Sequence, residues 1–410
     1  MVSLNLANQT YPAQNSDDAF ELDADGLSAG VERENVGDEQ ITDPFDPREI
    51  DVTTETRSLD TLMKRLEAGR LDLDPDFQRS RGIWNDRKKS QLIESLLLRI
   101  PLPTFYVAEF VTGRDEGLGE DSWAVVDGIQ RLSTIAHFVV PESQDLKPLK
   151  LSGMQYLTKE DGSTFETLSH ALQLRVLESQ FTMQVIRKAT PEAVKLNIFA
   201  RINTGGVPLS QQELRHALTP GSARALLRKM AASPAFREAV ADSVSPSRMA
   251  DREMVLRYLA FRIHDPLTYA EQDFDNFLRR VMERINGWTD AEAQGRQNEF
   301  DSVMRTCSEV FGDDAFRKRY DDTHARRPVS KALFEAVAVA VAEVTRGGDP
   351  GISRRLVTAA ATIRDRFIEL MADREFEGSV SQGTGDPSRV RYRFGRLHEL
   401  MGDVASGRLG

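Results

Sequence analysis

The sequence predicts an α+β protein in which a mixed α/β N-terminal domain is followed by an all-helical C-terminal domain. Three observations predict it. Up to about residue 218, short apolar runs such as TFYVAEF (104–110), WAVV (123–126) and QFTMQVIR (180–187) alternate with segments of helical spacing. Beyond that point there is no convincing strand pattern, and 221–232, 250–263, 271–286, 296–311, 329–345 and 352–371 all repeat apolar residues at helical intervals. Finally, residues 1–50 hold twelve Asp or Glu against two Arg, so they carry −10 of a formal net charge of −11. Composition of this kind buries too little apolar surface to order itself. The expected division is therefore a disordered acidic leader (1–50), an α/β domain (51–218) and a helical domain (219–410).

Each element has a local reason. SLDTLMKRLEAG (58–69) puts Leu59, Leu62, Met63 and Leu66 on one helical face, closed by Gly69. LDLDPDFQRSRGIW (71–84) reads as a short strand and loop, after which Asn85 caps a helix with Leu92, Ile93, Leu96 and Leu97 on its buried face. Pro101 ends that helix. TFYVAEF and WAVV form strands around the polar, glycine-rich loop TGRDEGLGEDS, and a helix from about Arg131 to Val140 is stopped by Pro141. Residues 141–180 alternate polar loop with short strand, QFTMQVIR is a buried strand, and TPEAVKLNIFARIN (190–203) returns to helical spacing. The glycine- and serine-rich FEGSVSQGTGDPS (376–388) separates a final helix near 391–401 from the rest.

Bulk properties exclude several classes. The single cysteine, Cys307, rules out an internal disulfide framework and an all-cysteine zinc site, and suits a reducing compartment. No basic region followed by an apolar core opens the chain. The most apolar helix, ALFEAVAVAVAEV (332–344), is interrupted by Glu335 and Glu343 and is shorter than the ~20 residues a bilayer requires. A cytoplasmic protein without a membrane partner is expected. The six histidines show no metal-ligand spacing, and there is no G-x-x-x-x-G-K-[ST] loop.

Three stretches could carry chemistry. In WAVVDGIQRLSTI (123–135) a strand runs into Asp127 and Gly128, and Arg131 falls in the first turn of a helix. Free backbone N–H groups at a helix N-terminus attract phosphate, glycine permits close approach, and arginine adds a bidentate contact. Ser133 and Thr134 add hydroxyls. Asp127 would repel a bare phosphate, so it implies either a bridging divalent ion or a partner for Arg131; a capped helix with a surface arginine also satisfies the pattern. In FARINTGGVPLSQQELRHAL (199–218) Ser210 and Glu213 fit a capping box, and Arg215 is either a surface residue or a second phosphate ligand. In PDFQRSRGIW (75–84) Gln78, Arg79 and Arg81 lie between Phe77 and Trp84, which suits a base clamp or a hydrophobic staple.

Taken in order, PDFQRSRGIW, LIESLLLRIPLP, DGIQRLSTI and FARINTGGVPLSQQELR resemble the four motifs of the GmrSD restriction endonuclease N-terminal domain family, also called domain of unknown function 262. ADREMVLRYLAFR and SKALFEAVAVAVAEV resemble its accompanying helical region. The family is similar in core fold to the ParB and sulfiredoxin group, whose G-x-x-R turn binds nucleotide phosphates. The resemblance implies a nucleotide site made of Asp127, Gly128, Gln130, Arg131 and Ser133, faced by Gln78 and Arg79, with Asn203, Glu213 and Arg215 as its far wall. It implies NTP hydrolysis, with Asp127 or Glu213 holding Mg²⁺ or orienting water. Two departures stand out. Ile129 replaces the first glutamine of the hallmark, and no histidine-metal nuclease domain of the kind usually joined to the family is recognisable here. The expected function is a nucleotide-binding and NTP-hydrolysing protein of restriction or anti-phage defence that acts on or senses foreign DNA, with a separate nuclease subunit or a second copy as partners. The alternatives are a non-catalytic DNA-binding or partner-docking module, and a Mg²⁺-dependent nicking nuclease.

Overall fold

A computed structural model describes residues 20–22, 28–32, 50–73, 84–110, 122–191, 194–195, 198, 210–246, 248–321, 326–346 and 349–409. Five of its strands form one mixed sheet: β3 (Val52–Ser58), β4 (Leu71–Asp72), β5 (Phe105–Phe110), β6 (Ser122–Asp127) and β7 (Gln180–Ile186), in the order β3-β7-β5-β6-β4. Strand β5 is antiparallel to β6 and parallel to β7, and the short β4 is parallel to β6. Alternation along each strand decides what lies on either face. Phe105, Val107, Trp123, Val125, Phe181, Met183 and Val185 share a core with α1 (Leu59–Glu67), α2 (Asp86–Leu97), α3 (Ile129–Val139) and α4 (His170–Leu177). On the other face Ala108, Val126 and Ile186 meet Leu214 of α5 (Gln211–Leu218).

Capping explains where these helices start. Ser58 accepts from the Thr61 N–H (3.3 Å) at α1, and Asn85 accepts from the Lys88 N–H (2.9 Å) at α2. Glu94 breaks the apolar pattern of the buried face of α2: it is 4% exposed and accepts the backbone N–H groups of Gln155 (3.1 Å), Tyr156 (2.6 Å) and Leu157 (2.8 Å). Burial opposes its charge. The three donors outweigh that penalty and hold its carboxyl below the usual range.

From Ser222 onward the described residues form helices: α6 (Ser222–Ala231), α7 (Pro234–Ala239), α8 (Ala250–Ile263), α9 (Phe274–Asn286), α10 (Asp290–Phe311), α11 (Lys331–Val344), α12 (Pro350–Thr358), α13 (Ala360–Ala372), α14 (Arg374–Ser381) and α15 (Pro387–Ala405). Helix α11 is the apolar one, and its Glu335, fully buried, is ion-paired to the equally buried Arg393 of α15. Among the described residues no helix is long and apolar enough to cross a membrane.

Several expectations need correction. The acidic leader is not wholly without structure: β1 (Phe20–Leu22) and β2 (Ser28–Glu32) pair antiparallel, and Val31 is buried in the helical core. Gly30 explains the close fit, because its φ is +74° and a Cβ there would lie 1.5 Å from the Ser243 carbonyl oxygen. Strand β3 was missed because VTTETRS offers little apolar contrast; it lies at the sheet edge, where the burial pattern is weak. Between 141 and 179 the chain forms 3₁₀ turns and α4 in place of short strands. The expected helix over 352–371 is two helices joined at Ala359, and the glycine- and serine-rich 376–388 is partly helical as α14.

Candidate functional site at the β6–α3 junction

The β5–β6 hairpin builds this corner of the molecule. Its antiparallel register pairs Tyr106 with Asp127, so the segment entering β5 lies beside the residues leaving β6. Gly128 then turns the chain with φ +92°. Any other residue there would meet both strain and collision, since a Cβ would sit 2.4 Å from Cδ1 of Phe105 and 3.0 Å from Nη2 of Arg131. Helix α3 therefore begins on a glycine, with no side-chain cap and no acid in its first turn, unlike α1, α2 and α5. Among the described residues no side chain caps its first N–H groups, an arrangement that suits an anion.

Arg131 stands over this helix start in a fixed pose. Its guanidinium donates to the carbonyl of Pro103, to that of Thr104 (3.3 Å) and to Asp127 Oδ2 (3.2 Å), and lies 4.4 Å from the centre of the Phe105 ring. Burial lowers its affinity for a proton from the ordinary value, and Asp127 acts in the opposite sense. The side chain of Arg131 is 15% exposed and that of Asp127 is 41% exposed, so the corner opens on its acidic side. Gln130 is half-buried on the same turn.

Asp127, Gly128, Gln130 and Arg131 are thus brought together. Others of the expected set are placed elsewhere. Ser133 is 4% exposed, and its hydroxyl has no hydrogen-bond partner among the described residues. Glu213 is 1% exposed and closes a capping box with Ser210: its Oε2 accepts the Ser210 N–H (2.6 Å) and Ser210 Oγ accepts the Glu213 N–H (3.1 Å). Arg215 turns toward the helical domain. It donates to Gln212 Oε1 (3.0 Å), pairs with Asp275 of α9 and lies 3.8 Å from Glu253 of α8. Glu253 in turn holds Arg257 (2.6 Å) and Lys331 (3.1 Å). Burial opposes ionisation of Glu253, yet Lys331, Arg257 and Arg215 together hold it far below the usual carboxylate range. This charged seam joins α5 to the helices that follow. Gln78, Arg79 and Asn203 lie outside the described residues.

Ile129 is 6% exposed and packs into the core beneath the sheet. An amide at this position would face apolar neighbours and not the helix mouth. The residues that sequence reasoning missed are Pro103, Thr104 and Phe105, which orient Arg131. The hairpin signal was enough to find them, because an antiparallel pair necessarily sets the start of one strand against the end of the next.

The geometry defines an α+β domain with an open helix N-terminus and an oriented arginine at the C-terminal end of β6. Residues 59–219 match the family described as GmrSD restriction endonuclease, N-terminal domain. No curated protein matches the chain.

Proposed function

We infer that the β6–α3 junction binds the phosphates of a nucleoside triphosphate and supports its hydrolysis, in a protein that acts on or senses foreign DNA. The observation that carries this reading is the uncapped N-terminus of α3 with Arg131 fixed above it. The N–H groups of Ile129 and Gln130 would donate to phosphate oxygens. Arg131, already oriented, would meet the charge that develops on the transferred group without first losing side-chain freedom.

A magnesium ion carried on the triphosphate needs only one or two protein carboxylates. Asp127 fits that requirement: it is well exposed, Oδ2 faces Arg131, and no hydrogen bond engages Oδ1 among the described residues. When bound, the ion would neutralise phosphate charge. Phosphate release from ATP, GTP and CTP by the purified protein tests the reading, with Arg131→Ala expected to lower turnover by about 100-fold or more. If none of the three is hydrolysed and Arg131→Ala leaves nucleotide affinity unchanged, the reading fails.

One observation favours a second reading. Arg131 already engages two main-chain carbonyls and Asp127, as it would in a non-catalytic module that docks DNA or a partner chain. DNA affinity that falls steeply with salt and ignores nucleotide would establish that reading. A metal nuclease using Asp127 with Glu213 has less support, because the Glu213 carboxylate is buried in its cap.

A further inference from the structure

Helices α10 and α12 flank a cleft of about 310 Å³ whose walls include Arg305 and Glu309 from α10 and Ser353, Arg354 and Val357 from α12. Each of these helices carries two arginines, and in each case one of the pair is satisfied. Arg296 donates to Glu299 (2.9 Å), and Arg355 donates to the Ala405 carbonyl (2.6 Å). Arg305 and Arg354, the two that line the cleft, make neither an ion pair nor a side-chain hydrogen bond among the described residues. Glu309 follows Arg305 by one helical turn, a spacing suited to an ion pair, yet no contact within 4.0 Å forms.

Arg305 and Arg354 bring two positive charges to the two walls of this open cleft against the single negative charge of Glu309, a balance that favours an anion held between the arginines. Guanidinium forks match phosphate oxygens in pairs. Ser302 and Ser353, which carry hydroxyl donors, line the same cleft, and Val357 is its apolar member. The volume lies at the lower end of the ~300–1,000 Å³ of ligand pockets, enough for a phosphate with a small substituent. We propose that this cleft binds a phosphate group, either of a small phosphorylated compound or of a DNA backbone, through Arg305 and Arg354. The site lies in the helical domain and stands independently of the β6–α3 junction.

The test uses the full-length protein, as wild type and as Arg131→Ala, so that phosphate bound at the β6–α3 junction is separated from phosphate bound here. Pyrophosphate is titrated calorimetrically, and a fluorescent 20-base-pair duplex is titrated at several salt concentrations. Arg305→Gln combined with Arg354→Gln, both exposed positions, is expected to weaken binding about tenfold or more. Ser353→Glu, which places a carboxylate in the cleft, should do the same. Loss of pyrophosphate binding alone identifies a small phosphorylated ligand. Loss of duplex binding, with the salt slope reduced by about one to two, identifies backbone phosphate. Unchanged affinity for both probes in both variants, or no binding of either probe by the wild type, overturns the proposal.

Discussion

Phe105 lies under Arg131, with the guanidinium carbon 4.4 Å from the ring centre, and the same ring fills the space that a side chain on residue 128 would need. One aromatic residue thus orients the arginine and enforces the glycine. Gly128→Ala should therefore lose more than the ~1–2 kcal/mol that left-handed backbone costs an ordinary residue, because the new methyl also displaces Phe105. Urea unfolding would show the loss. A variant as stable as the wild type would mean that the ring is free to move aside.

Glu213 separates a catalytic role from a structural one. Glu213→Gln keeps an oxygen for the Ser210 N–H and should leave any NTP turnover within about twofold, whereas Glu213→Ala should cost about 1 kcal/mol of stability. A folded Glu213→Gln protein with turnover lowered a hundredfold would restore the carboxylate to the chemistry.

Glu94 gives the fold a pH dependence. Its pKa is lower in the folded chain than the ~4.3 of a free glutamate, so its contribution is complete above that value and is lost as pH falls through the folded pKa. Glu94→Gln should be less stable than the wild type at pH 7 by about 1–3 kcal/mol. Thermal melts between pH 7 and pH 3 should bring the two proteins together at the acid end. A constant gap across that range would rule this account out.

The Glu335–Arg393 pair should respond asymmetrically. Arg393→Met leaves a fully buried carboxylate short of its main partner and should destabilise by about 3–5 kcal/mol. Replacing both residues by methionine should recover most of that loss, as measured by denaturant midpoint. Equal losses in the single and double variants would show that packing, and not charge, is what the pair supplies.

Strong periodicity made much of the architecture legible. Asn85 and Ser210 stand at their helix starts as expected, β5 and β6 pair antiparallel, and α8 spans Ala250–Ile263 as its spacing indicates, while the glycine-rich stretch 111–121 lies outside the described residues. What escaped depended on distant partners. The face of Glu94 is set by a turn some sixty residues later, the direction of Arg215 by Asp275, and the ordering of Ser28–Glu32 by Val329. At the candidate site, Asp127, Gly128 and Arg131 were legible because they fall within one strand–helix turn. Ser133, only two residues further on, is carried by the 100° step of the helix to a buried position.

The docked leader bears on the order in which the molecule can be completed. Glu32 N–H donates to the Val329 carbonyl (2.7 Å), and the Glu32 carboxylate meets Lys318 (2.6 Å), 286 positions along the chain. All five strands of the central sheet lie between residues 52 and 186, so that sheet can close while the helices are still being synthesised. Residues 28–32, which precede the sheet in the chain, must then wait for the segment between α10 and α11 before they can dock. During refolding, pulse-labelled hydrogen exchange should find the Glu32 and Val329 amides protected together, and later than those of β5 and β6.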